Sequence, residues 1–232
     1  SPPPNMSNRI KVISVVTIVT ALLVSVVYYW LHREQQKREM HETVTTWVIG
    51  AGIALRTELN AERVTDPETE KSALKLLDAR VDNIAKNLAA LRALDSTLQP
   101  LLVEFATRYL LVTQEILRLH ASSQRHRIAT SAALSDLWEF IGTRYTARAG
   151  WTTEAVRRKE LLEKEYFQFR NTSEALVRLL ESYSKERAGL APHFDVNQMP
   201  DESITQAARA RVLEETRLMA AEMDRLRKVP RQ

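Results

Sequence analysis

Residues 98–119 read LQPLLVEFATRYLLVTQEILRL. Leu98, Leu102, Phe105, Tyr109, Val112, Ile116 and Leu119 recur in unbroken steps of four and three. That spacing lays apolar side chains along one stripe of a helix, and a mean period of 3.5 is the seam of a helical bundle. Pro100 falls in the first turn, where its missing N–H is harmless. The stretch before it repeats the pattern: Leu74, Leu77, Val81, Ile84, Leu88 and Leu91 step by three and four. Only a short joint around Asp95–Thr97 separates the two, so they read as an antiparallel helix pair. Thr65-Asp66-Pro67-Glu68 opens the earlier helix: Thr65 can accept from a free backbone N–H, and Glu68 can return the bond.

Working outward, the same period persists. Towards the N-terminus, Met40, Val44, Trp47, Val48, Ala51, Leu55 and Leu59 form another stripe. Gly50 and Gly52 are its weak points, and with Ala51 and Ala54 they would let another helix approach closely. Towards the C-terminus, residues 119–128 (LHASSQRHRI) are polar, and a turn is expected near Ser122 and Ser123. Leu134, Leu137, Trp138, Ile141 and Tyr145 then mark a helix stopped by Gly150. Thr152 or Thr153 can cap the next, which carries Leu162, Tyr166, Phe169, Leu176, Leu180 and Tyr183, is interrupted at Ser173, and ends at Gly189. Residues 190–200 read as a loop, and a last helix is expected from about Asp201 to Lys228, with Ile204, Ala208, Val212, Met219, Met223 and Leu226 on one face.

Composition supports this reading. Five Gly among 232 residues is about 2%, against a usual level near 7%, and no Pro lies between Leu101 and Ala191. A many-stranded fold needs turn residues that this chain lacks. The absence of Cys excludes disulfides, thiolate metal sites and Cys nucleophiles. The expected class is all-α: a lead over residues 1–9, a transmembrane anchor over 10–32, and an elongated antiparallel bundle of about six helical segments over 33–232.

The anchor rests on Val12 to Trp30, VISVVTIVTALLVSVVYYW, a run without a charge. With Leu31 it approaches the roughly 20 apolar residues that cross a bilayer core. Tyr28, Tyr29 and Trp30 close it where amphipathic rings favour the headgroup layer, and Arg9 and Lys11 flank its start. A cleavable signal peptide would be followed by small residues, not by Tyr, Tyr, Trp and Leu. Arg33, Lys37 and Arg38 follow the run, so flanking charge favours neither topology; short-tailed signal anchors usually leave the tail in the cytoplasm. The expected placement is therefore single-pass in a bacterial inner membrane, with the bundle in the periplasm.

The charge does not point to nucleic acid. The net charge is +4, and residues 1–33 hold Arg9, Lys11 and Arg33 with no acid, leaving +1 for the rest. A nucleic-acid surface concentrates cations on one face, whereas here they interleave with acids, as in Arg157-Arg158-Lys159-Glu160. No Gly-rich phosphate loop, nucleophile elbow or helical His-Glu metal motif occurs. His120 and His126 straddle the polar stretch, and whether they converge with nearby acids is the one metal question the sequence raises. No catalytic, cofactor or metal residue is assigned, and the chain reads as a non-enzyme.

Glu165-Tyr166-Phe167-Gln168-Phe169-Arg170-Asn171, continued by Leu176, Ser182 and Tyr183, resembles the C-terminal part of the double all-helical (DAHL-type) ligand-binding module of bacterial sensor kinases and cyclases. The resemblance covers about thirty residues and implies an extracytoplasmic small-molecule sensor acting with a signalling partner; it carries over no ligand residues.

Two functions follow as expectations. The first is a non-catalytic, membrane-anchored interaction or scaffold subunit, contacting lipid and either protein partners or further copies of itself, with Trp47, Gly50 and Trp151 as contact candidates. The second is the sensory module, with a pocket lined by Tyr109, Tyr145, Tyr166 and Arg170.

Overall fold

The computed structural model describes residues 6–61, 66–143 and 151–228, with side chains from Thr17 to Ala61, from Asp66 to Gly142 except Pro67, and from Thr152 to Leu226. Helix α1 spans Met6–Asn60, α2 Pro67–Arg92, α3 Pro100–Thr143, α4 Trp151–Leu190 and α5 Glu202–Lys228, with a short 3-10 turn at Val196–Gln198. The chain is all-α, with no strand among the described residues.

Local chemistry sets the helix starts. The cap of α2 is Asp66, whose carboxylate accepts from the Thr69 backbone N–H at 2.9 Å and from its hydroxyl at 2.6 Å. The expected cap, Thr65, lies outside the described residues. Asp is at least as good a cap as Thr, and it places negative charge at the positive end of the helix. Asp201 does the same for α5, accepting from the Ile204 N–H at 2.9 Å. In the α2–α3 joint, Asp95 accepts from Thr97 N–H at 3.0 Å and closes the tight turn.

The α3–α4 hairpin is the spine. Its antiparallel register is fixed by cross-pairs: Arg108 with Glu186, Tyr109 with Tyr183, Ser123 with Ser173, His126 with Glu165 and Arg158 with Asp136. Helix α2 runs antiparallel along α3, joined to it by Asp78–Arg125 and Glu70–Arg127 ion pairs. Helix α1 runs parallel to α3: Gln99 donates to the Lys37 carbonyl at 2.9 Å, and Gly52 lies against Tyr109. Helix α5 runs antiparallel to α4, with Arg209 on Glu181.

The main core gathers Met40, Val44, Val48, Leu55 and Leu59 of α1 with Leu77, Ile84, Leu88 and Leu91 of α2. Leu102, Tyr109, Ile116, Leu176, Leu180 and Tyr183 complete it from α3 and α4. A smaller cluster of Ala133, Leu137, Leu162 and Met223 closes the far end of the hairpin against α5.

One expected boundary is wrong. There is no turn near Ser122 and Ser123; α3 continues through the polar stretch, so the described residues form five α-helices instead of about six. Most polar groups there meet partners on neighbouring helices, and Arg125 stays exposed. The buried hydroxyls of Ser123 and Ser173 bond at 2.9 Å, so the two polar interruptions in neighbouring seams satisfy each other. His126 bonds Glu165 at 2.8 Å, Arg125 pairs with Asp78, and Arg127 with Glu70. The helix stop expected at Gly150 lies outside the described residues. Helix α4 ends at Leu190, one residue past the expected Gly189.

Helix α1 is one helix of 55 residues, running from the segment expected as an anchor into the core-forming stretch without a break. Among the described residues no helix is long and apolar enough to cross a membrane. Residues 10–16 of the expected anchor lie outside the described side chains.

Candidate functional site

Tracing each helix to where it meets the most others leads to one cleft. All five contribute: Glu58, Leu59 and Ala61 end α1; Glu70, Ala73, Leu74 and Leu77 begin α2; His120, Gln124 and Arg127 sit midway along α3; Leu176 and Leu180 come from α4; Ala208, Arg211, Val212 and Glu215 come from α5. The cleft measures about 140 Å³. Its floor is leucine, and its polar groups are carried on regular helices whose rotamers the packing restricts.

Arg127 is buried, donates to Glu70, and is steadied by the Gln124 side-chain oxygen at 2.8 Å. A guanidinium cannot shed its proton to escape burial, so it needs such a partner. Arg211 reaches instead to the last carbonyls of α1, Leu59 and Ala61, the latter at 3.0 Å. Those carbonyls have no intrahelical donor, and a cation is favoured at the negative helix end. Glu58 is held by Arg80. Burial, then the charges of Arg211 and Arg127, push His120 down to about 4, so its imidazole is neutral at ordinary pH. The cleft thus carries two arginines, three carboxylates, one neutral ring and an amide above an apolar floor, with Glu58 paired to Arg80 and Glu70 to Arg127.

His120 and His126 do not converge on a metal site. His120 faces the cleft arginines and His126 bonds Glu165. Among the described residues no group of three or more His, Asp or Glu is placed to hold a metal ion.

The expected pocket residues are dispersed. Tyr109 is buried in the main core, its hydroxyl 2.9 Å from that of Tyr183 and its rings tilted at 49°. Burial pushes the Tyr109 phenol up to about 12 and raises Tyr183 further, so both stay protonated. Tyr166 packs on the smaller far cluster, and Arg170 is exposed and pairs with Glu174 at 2.8 Å. Tyr145 lies outside the described residues. The three described residues, Tyr109, Tyr166 and Arg170, lie in two clusters and on one surface and do not line one pocket. Chance periodic placement of aromatics suggested them, and core packing accounts for the buried ones.

Of the contact candidates, Trp47 is half-buried against the main core and the side chain of Trp151 lies outside the described ones. Gly50 is exposed, and a Cβ there would meet nothing within 4 Å. The close approach is at Gly52, where a Cβ would stand 2.7 Å from Met199 Cγ and 3.0 Å from the Tyr109 hydroxyl. Trp138, expected in the core, is 37% exposed. Tyr28, Tyr29 and Trp30 are 71%, 64% and 61% exposed, while the side chains of Arg9 and Lys11 lie outside the described ones.

The cleft itself was not legible in the sequence. Its lining is drawn from residues 58 to 215 with no local motif. The available signal was polar residues, Gln124 and Arg127, falling among apolar stripes. No family model, curated protein or solved structure matches the chain.

Proposed function

We propose that the chain is a non-catalytic interaction subunit of a bacterial envelope complex, held in the inner membrane by residues 10–32 with its helical body in the periplasm. The supporting observation is α1. Between Ile18 and Leu31 its large apolar side chains are 48% to 71% exposed, on every side of the helix. The same helix then enters the core at Met40 without a break. A helix that is apolar all round belongs in protein or in lipid, and these residues have no cover in the monomer. The Val12 to Trp30 run, with its aromatic end, suits lipid.

The test is fractionation of the full chain expressed in bacteria. The proposal expects it to stay in the membrane fraction through alkaline carbonate washing, to need detergent for release, and to bring stoichiometric partner chains with it. Val19→Asp with Leu22→Asp, each penalised by about 2.5–3.5 kcal/mol at mid-bilayer, should release it. A wild-type chain washed off by carbonate would refute the anchor. A second reading, the small-molecule sensor, is favoured by one observation, the five-helix cleft; it predicts a chain that purifies without partners and is stabilised by a ligand.

A further inference from the structure

We propose that the five-helix cleft binds a small organic monocarboxylate, its charge taken by Arg211 and its apolar body by Leu74, Leu77, Leu176 and Leu180. The inference stands apart from the membrane reading, because none of these residues lies in the apolar run.

Size comes first. A cleft of about 140 Å³ is comparable with an engineered apolar cavity of about 150 Å³ that admits benzene. It has room for a branched chain or one ring. Leucines from α2 and α4 give such a body a dry contact surface.

The charge of the ligand follows from how the lining charges are already used. Glu58 is taken by Arg80 and Glu70 by Arg127. Arg211 has no carboxylate partner among the described residues; its bonds go to the Leu59 and Ala61 carbonyls, which are neutral acceptors. A guanidinium bound to neutral oxygens still attracts a carboxylate, which it can take in a bidentate fork. His120 lines the same cleft and is held neutral by burial first and then by the charges of Arg211 and Arg127. Its ring, like the Gln124 amide, can donate to a carboxylate oxygen. Glu215 stands one turn from Arg211 on α5 and has no ion pair among the described residues. Its charge disfavours a second ligand carboxylate, so the site suits a monoacid.

The probes are 4-methylpentanoate and its neutral isostere 4-methylpentanamide, titrated calorimetrically into the full chain in mild detergent. The acid is expected to bind, and the amide to bind at least tenfold more weakly, since a charge-assisted hydrogen bond contributes about 1.5–3 kcal/mol and 1.4 kcal/mol is tenfold. Arg211→Gln should weaken the acid by roughly tenfold to a hundredfold and leave the amide unchanged. Because Arg211 also ties down the end of α1, a second variant, Ala73→Trp, blocks the cleft from an exposed rim position. It should abolish binding while the far-ultraviolet circular dichroism and melting temperature stay as in the parent. No heat with the acid at millimolar concentration, equal binding of acid and amide, or unchanged binding by a folded Ala73→Trp would each overturn the proposal.

Discussion

Two glycines two residues apart on α1, Gly50 and Gly52, should respond to the same substitution with opposite sign. At Gly50 a Cβ meets nothing within 4 Å, and the position is exposed. Gly50→Ala therefore gains only the helix preference of alanine, about 1 kcal/mol. At roughly 2–4 °C per kcal/mol for a body of this size, the melting temperature should rise by about that much. Gly52→Ala gains the same preference but pushes a methyl to 2.7 Å from Met199 Cγ and 3.0 Å from the Tyr109 hydroxyl. Met199 is 1% exposed and Tyr109 fully buried, so neither can swing into solvent. Overpacking of this kind destabilises by about 1–3 kcal/mol. Displacing the Tyr109 hydroxyl also strains its bond to Tyr183, a contribution of about 1 kcal/mol. The net effect of Gly52→Ala is destabilisation by about 1–2 kcal/mol, and a melting temperature several degrees below that of Gly50→Ala. Urea and thermal unfolding of the two full-length variants, followed by circular dichroism, give both signs in one experiment. Met199→Ala supplies a cycle: in its background Gly52→Ala should lose most of its penalty. If Gly52→Ala stabilises as much as Gly50→Ala, α1 does not pack on Tyr109 and Met199 as described.

The polar stretch of α3 makes a second claim about stability. Ser123 and Ser173 are 3% and 1% exposed and bond only one another across the hairpin. Ser123→Ala should leave the Ser173 hydroxyl buried without a partner, at about 1–3 kcal/mol, while the double Ser→Ala variant should be less destabilised than the two singles summed; simple additivity in urea unfolding would contradict the contact. His120 makes a pH claim. Its folded pKa of about 4 lies below the ordinary 6.5, so the unfolded chain takes up the proton first as pH falls. The contribution is fully present above about pH 6.5 and is lost progressively towards pH 4, by about 3 kcal/mol at the limit. The charged groups facing it are Glu58 of α1, Glu70 of α2, Arg127 of α3, and Arg211 and Glu215 of α5. His120→Gln should flatten the stability profile across that interval, and an unchanged slope would refute the assignment.

The bundle was legible where apolar residues alone define it. The seams at Leu74–Leu91 and Leu98–Leu119 need no knowledge of partners, and Leu77, Ile84, Leu88, Leu91, Leu102, Tyr109 and Ile116 are indeed buried. The joint at 119–128 misled because a polar run has two physical solutions, water or a complementary partner. Only the neighbouring helices decide between them. Glu70, Asp78, Glu165 and Ser173, which satisfy that run, lie 39 to 57 residues away in sequence. Gly52 could have been told from Gly50 by period alone, since Val48, Gly52, Leu55 and Leu59 step by four, three and four while Gly50 falls off the stripe. The cleft had no such route, because each helix contributes only a few of its residues and no two helices share a motif.

The direction of α1 bears on where partners could bind. It runs parallel to α3, with Lys37 level with Gln99, so the apolar run lies at the end of the molecule where α3 begins. At 1.5 Å per residue, the 44 residues of α3 carry the hairpin tip about 65 Å from that end. The exposed apolar side chains of the early turns of α4, Val156 at 50%, Leu161 at 49% and Phe167 at 58%, lie towards this far tip. If residues 10–32 occupy a bilayer, these side chains stand well clear of the headgroups, and lipid cannot cover them. On that reading the run along α1 would face lipid, whereas Val156 and Phe167, eleven residues apart and on one side of α4, would find cover only in a protein contact. A chain needing only an anchor would have no use for a rigid hairpin of this length. On the proposed membrane reading, a subunit presenting a surface at a fixed height above the bilayer would, and the continuous helix from Met6 to Asn60 would set that height without a flexible linker.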